Sequence, residues 1–96
     1  MQKWEYGYLV YSNYVKIHDE NQPAKTERII AIKTYGNLRK RTSTYSNTED
    51  GLRELNAILK LLGDEGWELV SATDRVPSFD PKRRKYEKSF YFKRPK

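Results

Sequence analysis

The sequence contains no cysteine, one histidine, and no apolar run long enough to cross a bilayer. Without cysteine there is no disulfide framework, no thiolate nucleophile and no Cys-ligated zinc. The lone His18 sits in the polar stretch His18-Asp19-Glu20. A metal site needs three or four converging ligands, so His18 reads as an exposed loop residue, and neither a metal nor a cofactor is expected. Ser-His-Asp catalysis would have to use His18, away from any nucleophile elbow. Neither glycine-rich phosphate-binding loop occurs. With these residue types missing, the chain is expected not to be an enzyme. The opening MQKWEYGYLVYS is interrupted by polar residues and glycine, so neither a signal peptide nor a membrane span is expected, and the expected location is cytoplasmic.

What is present points to a small folded domain. The 96 residues suit a single domain, 1–96. A mean hydropathy of −0.98 leans toward disorder. Eight tyrosines and two tryptophans lean the other way, since they are enough to cover a sheet.

Residues 3–12 (KWEYGYLVYS) alternate with period two, placing Trp4, Tyr6, Tyr8 and Val10 on one side and Glu5, Gly7, Leu9 and Tyr11 on the other. Gly7 inside that run signals a bulge or a close backbone approach. Residues 18–25, with Pro23, read as a loop, and 26–35 (TERIIAIKTY) as a second strand. Gly36-Asn37 offers the positive-φ positions of a tight turn. Residues 38–46 read as a short third strand whose basic row, Arg39 to Arg41, discourages edge pairing. Ser46 and Glu49 fit a capping box. Leu52, Leu55, Ile58, Leu59 and Leu62 then repeat at helical spacing, and Gly63 to Gly66 supply the stop. Residues 67–71 read as a strand, 76–85 as a basic hairpin tip, and 85–94 as the last strand, with Tyr86, Lys88, Phe90 and Phe92 on one face. The expected fold is α+β: an antiparallel sheet of four to five strands with one helix on one face, in the order β-β-(β)-α-β-β. One helix covers only part of such a sheet, so its other face meets water or a second copy.

Three stretches carry a resemblance: Lys3-Trp4-Glu5-Tyr6, the run from Leu62 to Ser71 around Glu65-Gly66-Trp67-Glu68, and Phe92-Lys93-Arg94-Pro95. Together they resemble a bacterial and phage family of small proteins catalogued as domain of unknown function 4177. The resemblance implies a fold and no reaction, and no catalytic residues carry over with it. Members of that family are shorter between first strand and helix, so residues 13–45 would be an elaboration. Read as residues, Glu65 and Glu68 form the one pair suggestive of acid/base work, but carboxylates beside a helix end are usually solvated or paired. Trp4 and Trp67 fit core or sheet-face positions better than a ligand cage.

Charge is the remaining signal. From Arg75 to Lys96 nine basic residues face two acids, a net +7, while the rest of the chain nets −1. The expected function is a non-enzymatic interaction module that self-associates as a homo-oligomer, using the sheet-face aromatics Trp4, Tyr6, Tyr8, Trp67, Phe90 and Phe92. The alternative is a binder of nucleic acid or a small polyanion such as a nucleotide. It would use Arg39, Lys40 and Arg41 together with Lys82, Arg83, Arg84 and Lys85 to neutralise phosphates beside aromatic stacking platforms. Solvated basic turns that keep the chain soluble are the plainer explanation of the same residues.

Overall fold

The computed structural model describes residues 2–17, 26–75, 79–80 and 83–96. The elements run β1 (Trp4–Ile17), β2 (Thr26–Gly36), β3 (Thr42–Tyr45), α1 (Thr48–Asp64), β4 (Glu68–Arg75), β5 (Phe79–Asp80) and β6 (Arg83–Pro95). The main sheet has the order β3-β2-β1-β6-β4, every pair antiparallel, with β5 paired to β6 off this path. The expected α+β architecture, one helix on one face of an antiparallel sheet, is the one observed.

β1 is the centre of the sheet and runs five residues past the expected end at Ser12. Ser12-Asn13 looks like a break in isolation, yet both residues are held on two sides, Ser12 against Ala31 and Glu87, and Asn13 against Ile30 and Tyr86. Two-sided pairing outweighs the weak intrinsic strand preference of Asn. β4 also extends further than expected, to Arg75.

The covered face carries Leu9, Tyr11, Ile30, Ile32, Phe90 and Phe92 from the strands. They pack against Leu55, Ile58 and Leu62 of α1, with Leu38 and Trp67 completing the cluster. The alternation expected along β1 is therefore observed, and the Leu9–Tyr11 side is the buried one. At standard rises β1 is ~48 Å long and α1 ~26 Å, so the helix spans only about half of the central strand.

Two local expectations are corrected. Residues 38–41 are not part of the third strand, which begins at Thr42. Leu38 instead turns inward and is buried, occupying the space a side chain at Gly7 would fill: a Cβ there would lie 2.6 Å from Leu38 Cγ. Gly7 thus marks close approach and not a bulge, with Gly36, at φ 72°, directly opposite it. The helix cap is Asn47, one residue later than the expected Ser46. Asn47 Oδ1 accepts from the Asp50 N–H at 2.8 Å, and Asn47 Nδ2 donates to the Asp50 carboxylate at 2.8 Å. Either residue would satisfy an unpaired N–H of the first turn; Asn47 takes the role, with the extended backbone of a cap (φ −134°, ψ 153°).

Candidate functional site

The face opposite α1 has no covering element among the described residues, and it is assembled row by row from the strand register. Tyr8 lies directly opposite Tyr35 on β2 and Tyr91 on β6. The Tyr8 and Tyr35 rings stack at 4.6 Å and 9°, and Tyr8 meets Tyr91 at 5.8 Å and 31°. Such offset contacts fix ring orientation beyond what burial alone would do. The adjacent row is Tyr6, Lys93 and Glu68.

On β4 a bulge between Leu69 and Ser71 sets Val70 beside these rings. The result is a shallow groove of about 480 Å³ along Tyr6, Tyr8, Val70, Tyr91 and Lys93. Tyr6 is 61% exposed and Val70 55%, with Tyr8 and Tyr91 also exposed. Lysines flank the tyrosines and lie over aromatic rings: Lys93 is 4.5 Å from the Trp4 ring, Lys33 5.3 Å from Tyr35 and Lys85 5.8 Å from Tyr14. In each case the ammonium nitrogen itself is placed over the ring, a cation–π contact.

The six expected sheet-face aromatics divide between two environments. Trp4, Tyr6 and Tyr8 lie on the open face. Trp67, Phe90 and Phe92 are buried under α1 and are core residues. Tyr35, Val70, Tyr91 and Lys93 belong to the open face and were not singled out from sequence. For Tyr91 the signal was present, since it alternates with Phe90 and Phe92. For Val70 it was not, because a bulge leaves no period-two trace.

The basic side chains that the structure describes do not converge. Arg39 lies 3.9 Å from Glu65 at the end of α1, and Arg41 lies 3.6 Å from Glu54. The Arg41 backbone is held by Thr34 on the outer side of β2. Lys40 is exposed with no partner among the described residues. Lys85 pairs with Glu87 at 3.5 Å, sits opposite Tyr14, and belongs to the open face. Arg41 and Lys85 are thus five residues apart along β1, ~17 Å, and on opposite faces. Arg83 and Arg84 begin β6, paired with Asp80 and Phe79 of β5. Lys82 and His18 lie outside the described residues.

The carboxylates divide as well. Glu65 faces Arg39, while Glu68 stands on the open face, so the two do not flank a common space. Among the described residues no group of three His, Asp or Glu could hold a metal ion, and no helix is long and apolar enough to cross a membrane.

The three stretches behind the family resemblance meet at the end of α1. The Arg94 guanidinium pairs with Glu5, donates to the Glu65 carbonyl at 3.0 Å, and lies 4.5 Å from the centre of the Trp67 ring. One side chain thereby joins the first strand, the helix stop and the last strand. Gly66, at φ 90°, makes the reversal that brings Trp67 back under the helix, where its N–H donates to the Leu62 carbonyl. Compared with protein-family models the chain matches none, and no curated protein matches it.

Proposed function

We propose that the chain is a small non-enzymatic interaction module whose first partner is a second copy of itself. The observation that supports this most is the uncovered sheet face. Tyr6, Tyr8, Val70 and Tyr91 form one exposed cluster, continuous with a strand whose eight residues are all exposed. Scattered exposed apolar residues are ordinary, but a contiguous cluster beside an open strand edge favours association. The flanking lysines leave the rim charged and the centre aromatic, as in many interfaces.

The polyanion reading has less support. Of its two clusters, Arg41 and Lys85 lie on opposite faces, and Arg39 and Arg41 are near Glu65 and Glu54 at α1. The resemblance to domain of unknown function 4177 is a proposal about fold and supplies no reaction.

Co-expression of a tagged and an untagged copy of the chain tests the proposal. Recovery of the untagged copy with the tagged one is expected. Purification of the tagged copy alone, at concentrations where both are abundant, would contradict it.

A further inference from the structure

We infer that the outer edge of β4 is the surface through which two copies pair, antiparallel, so that the sheet continues from one copy into the next. This rests on the self-association reading above and names its surface. Among the described residues β4 is hydrogen-bonded on one side only, by β6, and all eight of its residues are exposed, Leu69 at 51% and Val70 at 55%. A strand this long with an open edge presents a row of unpaired N–H and C=O groups. The opposite edge differs, since β3 is only four residues long and leads directly into the cap of α1. Glu68–Arg75 contains no lysine or proline, and its one bulge, at Val70, lies near one end and leaves Ser71–Arg75 in regular register.

The charges of β4 select one arrangement. With the bulged Val70 set aside, Ala72 is the midpoint of the strand. A two-fold axis there places Ser71 opposite Thr73, Leu69 opposite Asp74, and Glu68 opposite Arg75 of the second copy. Each of these pairs lies on one face of the sheet, as pleating requires. Glu68 neighbours Lys93 on β6, and Arg75 neighbours Glu87. A single row across the junction then reads Lys93, Glu68, Arg75 and Glu87, alternating in sign, and the symmetry repeats it. Neither Glu68 nor Arg75 has an ion-pair partner among the described residues, so both are free to make this contact. The parallel alternative would oppose Glu68 with Glu68 and Arg75 with Arg75, which is unfavourable.

Charge exchange tests the inference. Glu68→Arg and Arg75→Glu each replace two attractive pairs by two repulsive ones, and the double variant restores attraction with the signs reversed. Sedimentation equilibrium is expected to show dimerisation weakened by about tenfold in each single variant and returned to within about twofold of the unmodified chain in the double variant. If the unmodified chain and all three variants dimerise equally, the β4 edge is overturned while self-association through another surface stands. If the unmodified chain stays monomeric at every concentration, both fail. Should a variant not fold, hydrogen exchange on the unmodified chain decides. Rising protection of the β4 amides with concentration is expected, and protection independent of concentration overturns the pairing.

Discussion

At the scale of single residues, the glycines and one arginine set the packing. Gly51 lies in α1, where alanine would ordinarily add about 1 kcal/mol of stability. Here a Cβ would lie 2.5 Å from Ile30 Cγ2, and Ile30 is fully buried. Gly51→Ala is therefore expected to destabilise by about 1–3 kcal/mol in urea unfolding, and to become neutral or stabilising in an Ile30→Ala background. Equal effects in the two backgrounds would contradict the close contact. Arg94→Ala removes a cap, a partly buried ion pair and a ring contact together, and it leaves Glu5 without its partner. A loss of about 2 kcal/mol, or roughly 10 °C in melting temperature, is expected, with Arg94→Lys recovering only part because lysine lacks the planar fork.

Tyr86 contributes a pH dependence. Its phenol donates to Asp74 at 2.8 Å, and this hydrogen bond, followed by desolvation, raises its pKa above the ordinary 10.0. The neutral phenol is the form the fold favours. Its contribution is thus complete below pH 10.0 and is lost as pH rises through the raised folded value. The stability advantage of the unmodified chain over Tyr86→Phe should shrink above pH 10.0, and a constant difference across that range would contradict the assignment.

At the scale of elements, legibility followed how local the determinant is. The helix was readable because Leu55, Ile58 and Leu62 repeat at its period and are buried, although Leu52, expected on the same face, is exposed. Its cap was misplaced by one residue because Ser46 and Asn47 both carry a suitable side chain and each is followed three residues on by a carboxylate, Glu49 or Asp50. Asn47→Ala is expected to cost about 1 kcal/mol and Ser46→Ala close to nothing in thermal unfolding. The third strand was overextended because Leu38 looks like a strand residue by type, whereas its position is set by the empty space above Gly7. That space exists only once two strands distant in sequence have paired. The open face was half legible. Period two separated Tyr6 and Tyr8 from Leu9 and Tyr11, but which side of the last strand faced the helix depended on its register with β1.

At the scale of the whole molecule, the deciding feature is coverage. One helix ~26 Å long lies on a sheet whose central strand is ~48 Å, and the opposite face holds exposed tyrosines beside an open edge. Among the described residues the basic side chains do not gather into one patch, because Arg39 and Arg41 turn to the helix while Lys85 and Lys93 lie over rings of the open face. Light scattering of the unmodified chain over a dilution series tests the account most directly. The account predicts an average mass rising with concentration from the 11.5 kDa of one chain toward twice that value. A mass fixed at 11.5 kDa throughout the series would contradict it.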